Sequence, residues 1–428
     1  MLYSIAFFIF SLIYLPTLIF KGKFHADLGQ RFARFDRMTE RALLSGNGRI
    51  WIQAVSVGEV ALCRSLIPAL KEKFPDRDIV VSTITKAGND LAKRIFVRDA
   101  IVIYFPLDFR FIVRKTINIV KPALYIMIET EIWPNLLREL SAAGVPAALI
   151  NGRISDRSIG KYRIVKPFLK KTLEHINVFC MQDKIDAERI LGLGAPADKV
   201  KVTGNMKFDA RMPADIQDPG LVRSSIGLKE DEVLIVAGST HEGEEAIVLD
   251  VFKSISCDIP KLRLLIAPRH VNRSDAIEKL IKSKGFECAR FSTPPGLPRT
   301  TAGAGNTQQI ILLDTIGHLN EMYSIATIVF IGGSLVKYGG HNPIEPAYFG
   351  KAILFGPHMF NFKYITGVFL KNKAAIQVPD KEGLEKECRR VLKDAGARDA
   401  LGKNAKHSIA ENSGASDKNI LEITGILK

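Results

Sequence analysis

The feature that most constrains this chain is a rhythm in which short apolar, β-branched runs alternate with helical intervals, and which occurs twice. The first series comprises Arg49 to Ser56, Asp78 to Thr85, Ile101 to Pro106, Ala123 to Thr130 and Ala147 to Gly152. The second comprises Glu232 to Ala237, Leu262 to Ala267, Gln309 to Leu313, Thr327 to Ile331 and Ala352 to Phe355. Such an alternation predicts, in each series, a parallel, doubly wound α/β sheet with ligands at the carboxyl ends of its strands. Asp209 to Gly220 has linker composition. Two Rossmann-like domains facing a cleft, 23–208 and 209–428, are therefore the simplest architecture. Ser292 to Asn306, rich in Pro, Gly, Thr and Ser, predicts a surface loop.

Composition narrows the partners. A chain of 428 residues, 47% hydrophobic and 25% charged, has ample core and is not disordered. Its net charge of +15 points to a polyanionic partner: nucleic acid, anionic lipid or a phosphorylated substrate. Five scattered cysteines without a CxxC pair suggest reduced thiols rather than a disulfide frame or zinc site. Met1 to Phe20 carries no charged side chain, and about 20 apolar residues are what a bilayer-spanning helix needs. Lys21 and Lys23 follow, so residues 1–22 predict an N-terminal membrane anchor with the rest of the protein in the cytoplasm. A buried core helix is the alternative, kept open by Pro16. Arg31, Arg34, Arg37 and Arg41 extend a basic collar suited to anionic headgroups.

Candidate residues lie just past the predicted strands. Ser56-Val-Gly-Glu59 places a carboxylate in the first turn of a helix, where it could act as a base or simply complement the helix dipole. Glu129-Thr-Glu131-Ile-Trp-Pro134 supplies two carboxylates before a breaker, fit for acid–base work or for a helix entry. Lys207, in Gly204-Asn-Met-Lys-Phe-Asp209, lies at the domain junction. Arg157, Lys161, Arg163, Lys166, Lys170 and Lys171 form a basic face, solvated or set against anionic lipid.

In the second series, Gly238 to Glu245, Pro268-Arg269-His270 and Ile316-Gly317-His318 each follow a strand. So does Gly332-Gly-Ser-Leu-Val-Lys-Tyr-Gly-Gly-His-Asn342-Pro343-Ile344-Glu345-Pro346. There, glycine pairs would let the backbone approach a ligand, and Asn342 and Pro343 would open a helix whose N-terminus suits phosphate or ribose. Backbone N–H groups and hydroxyls of the first loop, and the planar fork of Arg269, suit an anion. The first βα turn lacks GxGxxG and no Walker motif occurs, which argues against a dinucleotide dehydrogenase and a P-loop enzyme. No metal site is evident.

These motifs, in this order and spacing, resemble the bacterial 3-deoxy-D-manno-octulosonic acid (Kdo) transferase family over nearly the whole chain. The resemblance rests on the apolar N-terminus, Ser-Val-Gly-Glu59, Glu129 to Asn135, Gly204 to Asp209, Ser239 to Glu245, Pro268 to His270, Gly332 to Leu335, Gly339 to Glu345 and Gly356 to Phe362. It implies the GT-B glycosyltransferase fold, CMP-Kdo as donor, lipid A precursor as acceptor and metal-independent, inverting transfer. No separate cofactor is implied, since CMP-Kdo is itself the donor. Its implied setting is the cytoplasmic side of the inner membrane, among anionic lipids rather than nucleic acid. By position, Glu59 resembles the family's general base, and Glu129 and Lys207 its transition-state stabilisers. Pro268, Arg269, Ile316, Gly317, His318, Asn342, Pro343, Ile344 and Glu345 resemble its CMP-contacting loops. His318 stands where many members carry Glu, and Gly152 where Ala is common. The rival readings are a GT-B enzyme using a UDP- or GDP-sugar and a basic membrane-docking module without catalysis.

Overall fold

The computed structural model describes Tyr3, Phe7 and residues 28–209, 217–292 and 309–427. Apart from Tyr3 and Phe7, the expected anchor lies outside these residues, as does nearly all of the expected loop from Ser292. Among the described residues no helix is long and apolar enough to cross a membrane.

The chain forms two α/β units, each built on its own seven-stranded sheet. The first sheet contains β1 (Arg49–Gln53), β2 (Ile79–Thr83), β3 (Ile101–Tyr104), β4 (Pro122–Ile128), β5 (Ala147–Gly152), β6 (Val178–Met181) and β7 (Val200–Val202), ordered β3-β2-β1-β4-β5-β6-β7. The second contains β8 (Val233–Thr240), β9 (Leu262–Pro268), β10 (Glu287–Arg290), β11 (Gln309–Leu312), β12 (Ile328–Ile331), β13 (Ala352–Phe355) and β14 (Ile376–Gln377), ordered β10-β11-β9-β8-β12-β13-β14. Every pairing is parallel. All ten expected strands form. The four not anticipated are short, and three of them (β7, β10 and β14) lie at sheet edges, where burial imposes little apolar pattern.

The side-chain period of two is visible in the first core. Trp51, Val80, Ile103, Tyr125 and Met127 pack on one face, and Ile50, Ile52, Val81, Ile126 and Ile128 on the other. Helices cover both faces, so the middle of the central strands, Ile50–Ile52 in β1 and Leu124–Ile128 in β4, is apolar on both, as buried parallel strands require. Each such side chain contributes about 1.5–3 kcal/mol when fully buried. Trp51 also satisfies its indole N–H, which donates to Ser82 Oγ at 2.8 Å inside the core.

One boundary differs from the sequence expectation. The first unit runs to Arg211 and takes back the chain from Asn412 onward, leaving Met212–Glu411 as the second. Asp209 accepts hydrogen bonds from the backbone N–H of Gly414 (2.6 Å) and Ser416 (2.5 Å). The helix Ala415–Ile426 then buries Ala415, Ile420 and Ile423 in the first core. Residues 412–428 therefore belong with the first unit, as does Asp209, and not with 212–411, a long-range return that local composition does not encode.

Strand order places both candidate sites. In the first sheet the order reverses between β1 and β4, and in the second between β8 and β12. Ligand sites of open parallel sheets lie outside the carboxyl ends at such reversals.

Candidate functional site

In the first unit, the loops leaving β1 and β4 carry the candidate carboxylates. Ser56 caps the helix Val57–Lys73, and its backbone N–H donates to Glu59 Oε2 at 2.7 Å in a capping box. The helix-cap role weighed for Glu59 is thus realised in the geometry. The same placement brings Glu59 within electrostatic reach of Glu129 and Glu131.

Glu129 leaves β4 with φ of 61°, a left-handed conformation that is unfavourable for a non-glycine residue. Its backbone N–H donates to Ile150 O at 3.0 Å, which holds the turn. Burial raises the Glu129 pKa most; Lys207 opposes the rise, Glu59 adds to it and Arg153 opposes it. Glu131 accepts from Trp133 Nε1 at 3.1 Å. Burial, then the negative charge of Glu59, pushes its pKa up to about 7, with Glu129 adding a smaller push. Three carboxylates thus gather around one reversal point, and the cations Lys207 and Arg153 act on Glu129.

A buried polar relay sets Lys207. Asn151, another non-glycine residue with positive φ (52°), accepts the N–H of Met206 at 3.0 Å. Gln182 Nε2 donates to Asn151 O (3.0 Å), Asn205 Nδ2 donates to Gln182 Oε1 (2.9 Å), and Asn205 Oδ1 accepts the N–H of Lys207 (3.0 Å). Asp108 plays a similar part for the Glu129–Trp133 loop, accepting the N–H groups of Asn135 (3.0 Å) and Leu136 (2.8 Å) where the next helix begins. Sequence reasoning missed Asp108, Asn151, Gln182 and Asn205. Their only signal is a polar residue at a strand end, which is common to most loops.

In the second unit the glycine-rich stretch is not shaped as the sequence suggested. A Cβ on Gly332 would come within 2.3 Å of Ser239 O, and one on Gly340 within 2.1 Å of Met359 Sδ. The glycines therefore admit protein atoms. Glu244 occupies the turn that the second glycine opens, accepting the N–H groups of Gly333 (2.6 Å), Ser334 (2.9 Å), Leu335 (2.9 Å) and His241 (3.0 Å). The helix after it is only Ile344–Tyr348, and Pro343 rather than Asn342 is its cap residue. Asn342 instead accepts the N–H of Ile344 at 3.1 Å and donates to Glu345 Oε1 at 3.2 Å. A five-residue helix has too short a dipole to act as a phosphate site by itself.

Arg269 follows Pro268, the last residue of β9; its N–H donates to Thr240 O at 3.0 Å and its side chain is exposed. Its charge acts on Glu345 and His341, which joins the loops after β9 and β12 into one electropositive corner. Ile316 is 83% exposed, and Gly317 has φ of 105°. His318 faces Glu321 (Nδ1 to Oε2, 3.0 Å) and packs against Phe291, so its imidazole is engaged locally.

Glu244→Ala should strand three buried N–H donors and a fourth, of Leu335, that is partly buried. A loss of about 3–5 kcal/mol is expected, the scale of a broken buried charged network. Urea unfolding should show a lowered midpoint, with Glu244→Gln, which keeps one acceptor oxygen, falling between the two. A midpoint equal to wild type in the alanine variant would refute this tethering role.

Comparison with known proteins sets these sites in context. The family model described as 3-deoxy-D-manno-octulosonic-acid transferase (kdotransferase) matches residues 26–210. The 3-deoxy-D-manno-octulosonic acid transferase of Haemophilus influenzae is 35% identical over 390 residues, covering 89% of this chain and 88% of its own length. That of Chlamydia muridarum is 27% identical over 412 residues, covering 95% and 93%. Among solved structures, the UDP-GlcNAc 2-epimerase of Neisseria meningitidis bound to UDP-GlcNAc matches with a TM-score of 0.62 at 12% identity, over 88% of this chain and 100% of that one. The last likeness is one of fold.

Proposed function

The chain belongs to the 3-deoxy-D-manno-octulosonic acid transferase family, and from that premise we infer a GT-B glycosyltransferase that moves Kdo from CMP-Kdo to lipid A precursor. The observation that carries the reading is the convergence of Glu59, Glu129, Glu131 and Lys207 at the strand-order reversal of the first sheet. In this reading the first unit binds the acceptor and the second the nucleotide.

Transfer requires an acceptor hydroxyl to lose its proton as it attacks the anomeric carbon. Glu59 is the proposed base, at the mouth of β1. Glu129 offsets positive charge developing on the donor sugar, and Lys207 both holds Glu129 towards its ionised form and offers a cation to the departing phosphate. Pro268, Arg269, Ile316, Gly317 and Asn342–Glu345 are the proposed nucleotide contacts. His318 is assigned a backbone part only, because its ring is turned to Glu321. Arg269 meets the phosphate, which leaves as a monoester with growing negative charge.

The acceptor is an acylated, phosphorylated lipid, which supports a membrane-facing surface on the first unit. Lys161, Arg163, Lys166, Lys170 and Lys171 are exposed on the helices Asp156–Ile164 and Lys166–Leu173. Between them Ile164 is 82% exposed and Phe168 43%. Basic side chains interleaved with apolar ones suit the headgroup boundary of an anionic membrane. Tyr3 stacks on Phe168 with ring centroids 5.6 Å apart, so this N-terminal residue lies against the same surface.

Incubation of purified protein with CMP-Kdo and lipid A precursor should increase the acceptor mass by one or more Kdo units in mass spectrometry. Turnover with a UDP- or GDP-sugar but not CMP-Kdo would replace this reading with the rival donor. Arg269→Ala should weaken CMP binding by about 1.5–3 kcal/mol in calorimetry, the worth of a charge-assisted hydrogen bond; unchanged affinity would remove Arg269 from the nucleotide site.

A further inference from the structure

Two imidazoles from opposite sides of the second reversal point meet beside Arg269. His241, in the loop after β8, and His341, in the loop after β12, bring their Nε2 atoms to 2.9 Å. Their rings are within 6° of parallel with centroids 5.1 Å apart, the geometry of an edge-to-edge N–H···N bond. The arrangement is built rather than incidental. Tyr338 stacks on His241 at 4.0 Å and fixes its plane, and the His270 ring stands across it at 6.0 Å. A Cβ on Gly333 would press on both imidazoles, at 3.2 and 3.3 Å, so glycine is what leaves them room. The backbone of His241 is held by Glu244.

The nearby carboxylates have other partners. Glu244 holds backbone N–H groups; Glu245 accepts from Thr240 (3.0 Å) and Arg273 (2.8 Å); Glu345 accepts from Asn342. Burial, then the neighbouring His241, Arg269 and His270, lowers the His341 pKa to about 4. Burial, His270, Arg273 and Arg269 likewise lower that of His241, against a smaller opposing push from Glu245. The pair therefore rests neutral in an electropositive corner, sharing one N–H between its two Nε2 atoms.

The donor assigned above, on which this inference rests, places two anionic groups on a single carbon. In a nucleotide-linked 2-ulosonic acid the anomeric carbon bears both the phosphate ester and the sugar carboxylate. A neutral hexose donor has only the phosphate. Such a donor needs a second recognition point a few ångströms from the phosphate ligand. We propose that the His241–His341 pair is that point: it binds the sugar carboxylate while Arg269 binds the phosphate, and so selects an acidic sugar over a neutral one. In the neutral pair the ring that accepts at Nε2 carries its own proton on Nδ1, and that Nδ1–H gives a charge-assisted bond to the carboxylate, while the anion stabilises any further proton the pair takes up.

Steady-state kinetics with CMP-Kdo, together with inhibition by CMP, separates the possibilities. In His241→Gln and His341→Gln, the KM for CMP-Kdo should rise roughly 10- to 100-fold, while the Ki for CMP stays within about twofold of wild type. Tyr338→Leu, at a residue 54% exposed, should likewise raise the KM for CMP-Kdo and leave the Ki for CMP near wild type without touching the core, and it keeps the test decisive where a histidine variant fails to fold. A KM and Ki that rise together would assign the pair to the nucleotide and overturn the proposal, as would a KM left unchanged. Wild-type protein that turns over no CMP-Kdo would overturn the donor assignment itself, a result distinct from either variant outcome.

Discussion

Glu59→Gln is expected to lower single-turnover transfer by roughly 10²–10⁴-fold, the usual contribution of a positioned general base. Stability should barely move. In the capping box, Ser56 N–H donates to a Glu59 oxygen, and the amide oxygen of glutamine can accept that same bond. The substitution removes a proton-accepting carboxylate and little of the helix cap, so the expected stability loss is a few tenths of a kcal/mol to about 1. CMP affinity should stay unchanged, since the proposed nucleotide contacts all lie between Met212 and Glu411. The cap geometry makes this test necessary, because a glutamate at that position is explained without any catalysis. Rapid-quench transfer and thermal unfolding on the same variant distinguish the roles. Transfer within a few-fold of wild type would remove Glu59 as base, and Glu131 would be next in line, because a carboxylate with a pKa near 7 is suited to accept protons at neutral pH.

How much was legible beforehand follows from where the information resides. Strands such as Leu124–Ile128 and Leu264–Ala267 are buried and apolar, so one residue after another announces them. Glu59 and Glu129 stand out as candidates because they lie just past such strands, where parallel sheets place their sites. The glycine-rich loop was found for the same reason but misread in its details. Its N–H groups are bound by Glu244, 89 to 91 residues earlier in the chain, a pairing no local pattern could reveal. The helix start shifted to Ile344 because the side chain of Asn342 also holds Glu345. The Asn151–Gln182–Asn205 relay was missed because buried polar residues carry no periodicity. The return of the helix Ala415–Ile426 to the first unit depends on Asp209, whose role appears only once residues 205 positions away are brought beside it.

Lys207→Met should be the second severe loss, roughly 10²–10³-fold in transfer, the scale of removing one preorganised group that stabilises transition-state charge. Folding should survive, because it is the backbone of Lys207 that Asn205 holds and methionine keeps the length and apolar body of the side chain. The two parts assigned to Lys207 predict different pH behaviour. Burial raises the Glu129 pKa, and the Lys207 charge is the largest influence pulling it down. Removing that charge moves the Glu129 pKa further up, so the ionised form is reached only at higher pH. If holding Glu129 ionised is the main service, the acidic limb of the kcat profile shifts to higher pH in the variant, and activity partly recovers on the alkaline side. If Lys207 instead acts on the departing phosphate, the loss is the same at every pH, because a missing cation cannot be restored by ionising Glu129. Combining Lys207→Met with Glu129→Gln separates them again: the first role gives a double variant no worse than Glu129→Gln alone, and the second gives a further loss. Near-normal transfer by Lys207→Met at neutral pH would exclude both roles and leave Arg153 as the other cation whose charge lowers the Glu129 pKa.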